Sequence, residues 1–185
     1  MNEQFKRDVE NGLSQNPKRL SSKYFYDARG DELFVQIMHL PEYYLTKAEF
    51  EIFSDQTEQL VEALQLDRNQ RFELVELGAG DGAKTKELLR YLVEKGFKFD
   101  YLPIDISQHA LDELRKSLSL EIPTLSVKTQ QGDYFEVLQS LSDSDLPKAV
   151  LFLGSNLGNM LDDRATEFIH ALSDSLNAGD RVLMG

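Results

Sequence analysis

The stretch FELVELGAGDGAKT, residues 72–85, runs from apolar residues into three glycines at every second position, Gly78, Gly80 and Gly82, and closes on Lys84 and Thr85. Glycines placed directly after a strand let the backbone approach a ligand closely, because no Cβ stands in the way. Three nucleotide-type ligands use such a loop. A phosphate loop, G-x-x-x-x-G-K-[ST], is matched by Gly78, Lys84 and Thr85 but has Ala83 at its second glycine. It also requires an acidic residue ending another buried strand to help hold Mg²⁺, whereas AVLFLG (149–154) runs on into Ser155 and Asn156. A dinucleotide fingerprint, G-x-G-x-x-G/A, is satisfied by Gly78, Gly80 and Ala83, with Asp105 ending the next strand. Nothing downstream resembles a hydride-transfer site.

The third ligand is S-adenosylmethionine, which strings an amino-acid end, a ribose and an adenine across adjacent strand ends. Glu76 can orient its ammonium group through water, and Lys84 can pair with its carboxylate. Asp105, ending strand two, can accept both ribose hydroxyls. Gly132-Asp133-Tyr134 supplies an acid for the adenine amino group and a side chain to line the ring. Each feature has a plainer explanation: glycines after a strand also make tight turns, and Asp105 could cap the following helix. The order of the features along successive strand ends favours the cofactor. Within it, Asp105 is expected to matter more than Lys84, which the sequence places at an exposed helix start.

These residues need elements to hold them. FELVEL (72–77), FDYLPID (99–105), TLSVKTQ (124–130), AVLFLG (149–154) and RVLMG (181–185) read as strands. Helical stretches at 83–94, 108–118 and 162–176 separate most of them. Alternation of this kind means a parallel sheet with right-handed crossovers, covered on both faces. The expected strand order is 3-2-1-4-5. Residues 1 to about 70 show no strand pattern. Phe34, Ile37 and Met38 follow helical spacing behind Asp31 as the expected N-cap, and Pro41 stops that helix. Residues 46–66 carry Phe50, Phe53, Leu60, Val61 and Leu64 as one amphipathic helix would.

Bulk properties exclude several classes. The 185 residues hold 41% hydrophobic and 28% charged residues, a globular composition large enough for a real core. A formal net charge of −12 argues against nucleic acid as partner. Absence of cysteine excludes disulfides, thiolate metal sites and a cysteine nucleophile. His39, His109 and His170 lack metal-ligand spacing. The opening MNEQFKRDVENGLSQ has no signal-peptide core, and no apolar stretch reaches 18 residues. A cytoplasmic protein with no membrane partner is expected. The charge run 142–145 reads as a solvated loop.

Five segments together carry a family likeness: YFYDARGDELFVQIMHLPEYYLTKAE (24–49), VELGAGDGAKT (75–85), YLPIDIS (101–107), GDYFEVL (132–138) and LFLGSNLGNM (151–160). They resemble the histidine-specific, S-adenosylmethionine-dependent methyltransferase family of ergothioneine biosynthesis, and LPEYY and FLGSNLGN are its most specific parts. The resemblance implies a Rossmann-like class I methyltransferase domain at 71–185 and an N-terminal helical segment, 1–70, forming part of a substrate domain. It places Gly78, Lys84, Asp105, Asp133 and Tyr134 at the cofactor, and Tyr43 and Asn159 at an amino-acid substrate. Without the resemblance, Tyr43 would read as a core aromatic and Asn159 as a loop amide capping a helix.

The implied reaction is N-methylation of an α-amino group, from L-histidine to Nα,Nα,Nα-trimethylhistidine. The alternatives are another amino acid such as tryptophan, or a module that binds the cofactor without catalysing. Members of this family continue past the strand that ends here at Gly185. The chain is therefore expected to be the N-terminal part of a longer one, inactive alone and prone to self-association through the strand edge at 181–185.

Overall fold

The computed structural model describes residues 3–21, 24, 28–141 and 144–185. Among the described residues, four α-helices come first: α1 (Glu3–Ser14), α2 (Ala28–Met38), α3 (Tyr44–Asp55) and α4 (Thr57–Ala63). Strands and helices then alternate: β1 (Phe72–Leu77), α5 (Thr85–Glu94), β2 (Phe99–Asp105), α6 (Gln108–Glu121), β3 (Gln130–Gln131), α7 (Tyr134–Leu141), β4 (Lys148–Phe152), α8 (Asp162–Asp174) and β5 (Arg181–Met184). The sheet has the expected order β3-β2-β1-β4-β5, and every pairing is parallel.

The two-residue period of the strands splits the apolar residues into two cores. Leu74, Tyr101, Ala149 and Leu151 point to one face and pack with Leu88, Leu89 and Leu92 of α5 and Leu114 and Leu118 of α6. Phe53 of α3, Val61 of α4 and Leu64 join that face. Val75, Leu77, Ile104, Val150 and Phe152 point the other way, against Val137, Leu138 and Leu141 of α7 and Phe168 and Leu172 of α8. All six residues of β1 and all five of β4 are buried, as central parallel strands must be.

Four expectations change. Residues 124–130 do not form one strand. The segment runs beside β2, bridges it once at Tyr101 and Val127, and pairs regularly only at Gln130–Gln131. As the outer strand it has a single neighbour, and its polar residues Thr124, Ser126 and Lys128 offer little apolar surface to hold it down. The helix expected at 46–66 is two helices broken at Gln56, where the Thr57 hydroxyl donates to the Phe53 carbonyl. A hydroxyl bonded back to the preceding turn bends a helix. Helix α7, within GDYFEVL and beyond, was not expected. Finally, α2 already begins at Ala28, so Asp31 lies inside it rather than ahead of it. The Asp31 side chain, and part of the charge run 142–145, lie outside the described residues.

Candidate functional site

A cleft of about 1270 Å³ opens over the carboxyl ends of β1, β2 and β4, with α1, α2 and α3 contributing to its other wall. Gly78, Gly80, Lys84, Asp105, Asp133, Tyr134, Tyr43 and Asn159 all line it. The fold thus brings together eight of the nine residues expected at the site. Glu76 is absent from the wall.

The glycine loop is shaped by two constraints. Gly78 has φ +76°, and a Cβ there would sit 2.7 Å from the Tyr134 hydroxyl and 3.2 Å from Asn156 Nδ2. Both the backbone angle and the space therefore demand glycine. The N–H groups of Gly78 and Ala79 donate to the Ile104 carbonyl at 2.8 and 3.1 Å, which ties the loop to the end of β2.

Asp105 closes the same corner. Its Oδ2 accepts from the Gly80 N–H and its Oδ1 from the Ser107 N–H, both at 2.9 Å. It is not the cap of α6. That role belongs to Ser107, whose hydroxyl accepts from the Ala110 N–H at 3.2 Å. Both Asp105 oxygens are thus tied to backbone N–H groups while the residue lines the cleft.

Glu76 lies beneath the loop, 1% exposed. Its Oε1 accepts from the Thr85 hydroxyl at 2.6 Å and its Oε2 from the Tyr101 hydroxyl. Burial pushes the Glu76 carboxyl up to about 7, against the lowering pull of those two hydrogen bonds and of Lys84. The Tyr101 phenol is pushed well up as well, by burial first and then by Glu76. Thr85 is completely buried. Its hydroxyl faces Glu76, not the cleft, so it has no means of gripping a phosphate-bound metal. The phosphate-loop reading fails on this contact.

Lys84 is not the exposed lysine that its position implied. It stands at the N-cap of α5, its side chain is 21% exposed, and its ammonium is paired with Glu49 of α3. Glu49 also accepts from the Gly154 N–H at 2.8 Å, just after β4. Asp133 opens α7, its Oδ1 accepting from the Phe135 N–H at 3.1 Å. The Tyr134 ring packs edge-on against Phe152 and Phe168, and its hydroxyl comes close to Gly78. The neighbouring Phe135 lies under the Arg164 guanidinium, 4.1 Å from ring centroid to carbon, and both line the cleft.

Tyr43 is half-buried and meets Phe34 edge-on, with ring centroids 6.3 Å apart. Asn159 is exposed at the end of a 3₁₀ turn, Asn156–Asn159. Sequence reasoning missed Glu49, Phe135 and Arg164. Spacing holds no signal for Glu49, whose partners lie 35 and 105 residues away.

The geometry fits a zwitterionic nucleoside: a loop that leaves no room for a Cβ at Gly78, an acid at the β2 end, and a cation beside the loop. Comparison with known proteins decides the family. Residues 5–185 match the family described as histidine-specific methyltransferase, SAM-dependent. The chain belongs to that family. This histidine-specific methyltransferase family member is 35% identical to the histidine N-alpha-methyltransferase of Mycolicibacterium smegmatis, over 99% of the chain and 55% of that relative. It is 29% identical to ergothioneine biosynthesis protein 1 of Neurospora crassa, over 91% of the chain and 19% of the relative.

Against the magnesium protoporphyrin IX methyltransferase of Synechocystis, solved with bound SAH, the TM-score is 0.52 at 14% identity. That likeness covers 84% of this chain and 66% of the other and establishes the Rossmann-like methyltransferase fold. The chain spans about half the length of the histidine N-alpha-methyltransferase it matches. Among the described residues, no group of three or more His, Asp or Glu side chains gathers where a metal could sit, and no helix is long and apolar enough to cross a membrane.

Proposed function

We propose that this chain forms the cofactor-binding part of a cytoplasmic methyltransferase that acts on the α-amino group of L-histidine. The observation that carries the reading is that Tyr43 and Asn159 face the same cleft as Gly78, Lys84, Asp105 and Asp133. In this reading, Asp105 receives the ribose hydroxyls, Asp133 the adenine amino group and Lys84 the amino-acid carboxylate of S-adenosylmethionine. When bound, the cofactor supplies an electrophilic methyl group on a sulfonium. Glu76 supports the glycine loop from below rather than touching the ligand. Residues 1–70 serve as part of the substrate domain, and 71–185 as the cofactor domain.

The residues of this chain act by orientation. Tyr43 and Asn159 hold the amino acid so that the amine lone pair is directed along one line, and fixed alignment of that sort can replace acid–base help. The apolar wall that Phe34 and Phe50 add to the cleft favours the uncharged amine. Self-association through β5 belongs to the same proposal. Val182 and Met184 are 40% and 42% exposed on that strand, which has β4 as its neighbour on one side.

The test is methyl transfer from S-adenosylmethionine to a panel of free amino acids, using the longest natural chain that contains these residues and mass spectrometry of the products. Trimethylated histidine as the main product is the expected result. Turnover of tryptophan in place of histidine, or none at all, overturns the substrate assignment.

A further inference from the structure

One acidic side chain in the cleft wall has been given no role so far. Glu49 reaches from α3 across to the sheet, where one carboxylate oxygen takes the Lys84 ammonium and the other takes the Gly154 N–H at 2.8 Å. The two side chains are 16% and 21% exposed, so the pair stands largely out of bulk water. Backbone encloses it as well. Gly154 has φ +77°, and a Cβ placed on Gly185, beyond β5, would lie 2.6 Å from Glu49 Oε1. A single carboxylate therefore joins the N-terminal helices, the end of the glycine loop and the turn after β4.

We propose that Glu49 is a positioning residue for the amino-acid end of the cofactor, acting through Lys84; this rests on the S-adenosylmethionine reading above. A lysine head on a flexible stem loses rotamer freedom when it grips a ligand. Glu49 imposes that order beforehand, because the Gly154 N–H fixes the direction of the carboxylate and the carboxylate fixes the ammonium. An ammonium carries three donors and Glu49 occupies one, so the others stay available to a ligand carboxylate. The pair also leaves the pocket with a plus–minus dipole, suited to a ligand end that is itself a zwitterion. Helix α3 thereby becomes part of the cofactor site although the glycine loop and the acids at the strand ends lie elsewhere.

The test compares two ligands by titration calorimetry, on the parent and on Glu49→Gln. S-adenosylhomocysteine carries the amino-acid end, and 5′-methylthioadenosine lacks it. Loss of a charge-assisted contact predicts that Glu49→Gln weakens S-adenosylhomocysteine roughly tenfold while 5′-methylthioadenosine stays within about twofold. In a Lys84→Met background the same substitution should add nothing, since the two side chains act as one unit. Equal weakening of both ligands would show a general structural role and overturn the proposal. So would tighter binding of S-adenosylhomocysteine, which would make Glu49 a competitor for Lys84, or an undiminished effect in the Lys84→Met background. The retained 5′-methylthioadenosine affinity doubles as a check that the variant is folded. If the parent binds neither ligand, the cofactor reading itself falls and the proposal with it.

Discussion

The sheet and the N-terminal helices solve different physical problems. Every residue of β1 is buried, whereas α1 has no buried side chain and Leu33, Val35 and Ile37 of α2 stand 50%, 40% and 43% exposed. Between them, α3 and α4 anchor the helical segment through Phe53 and Val61. Stability therefore resides in the strands, and α1 and α2 mainly shape the space above them. The residues proposed for the cofactor come from the buried sheet side and Tyr43 from the open side. Chemistry that needs a fixed frame and a replaceable lid would divide its residues in this way.

The strongest test of the contrast is Leu74→Ala, which removes a completely buried β1 side chain. Urea denaturation should show a loss of about 2–5 kcal/mol, typical of buried Leu→Ala changes. A loss below about 1 kcal/mol would mean the sheet is not the stable half.

Glu76→Gln sharpens the contrast from within the sheet. The Glu76 carboxyl is raised from 4.5 to about 7 by burial, so the folded protein holds a proton that the unfolded chain releases. The sign follows: this group's contribution is fully present below pH 4.5 and is lost as pH rises through about 7. Each pKa unit is worth about 1.4 kcal/mol, so the effect is on the order of 3–4 kcal/mol. Melting temperatures from pH 5 to 8 should fall less steeply for Glu76→Gln than for the parent, and parallel curves would refute the assignment.

Asp105→Ala acts where the sheet meets the cleft. Hydrogen bonds to a charged acceptor are worth about 1.5–3 kcal/mol. The variant should bind S-adenosylhomocysteine some ten- to a hundredfold more weakly, and unchanged affinity in calorimetry would show the site is misplaced. Tyr43→Phe, on the open side, should raise the KM for the amino acid by several-fold, roughly the 1 kcal/mol of one neutral hydrogen bond. Its cofactor affinity should not move; if that falls instead, the division between the two regions is wrong. The smallest effect belongs to Ile37→Ser on α2, which should change the unfolding free energy by less than about 0.5 kcal/mol.

The legible and illegible parts of the sequence divide along the same line. β1 and β2 have the bounds that FELVEL and FDYLPID predict, because strands buried on both faces are written as dense apolar runs. Strand order followed from alternation. β3 was overread because an edge segment with alternating polar residues resembles a strand whether or not a second neighbour holds it in place. The break at Gln56 was hidden because Phe53, Leu60, Val61 and Leu64 keep helical spacing across it. Within the site, residues tied to strand ends were readable from their order. Glu76 was expected to reach the cofactor's ammonium through water; it lies beneath the loop, bonded to Thr85 and Tyr101, since a pattern marks position along the chain but not depth of burial. Glu49 ends one of the segments that carry the family likeness, but its role could not be read, because nothing local distinguishes it from any acid on an amphipathic helix.

The hydroxyl of Thr85 limits what can be engineered into this scaffold. Replacing Ala83 by glycine would complete a nucleotide-triphosphate motif in letters, and a pattern search would then assign the chain a new activity. The side chain that should meet the metal would still be turned into the protein, hydrogen-bonded to Glu76 at 2.6 Å under the loop. A designer aiming at phosphate chemistry would have to rebuild the floor of the loop, Glu76 and Tyr101 together, before altering its rim.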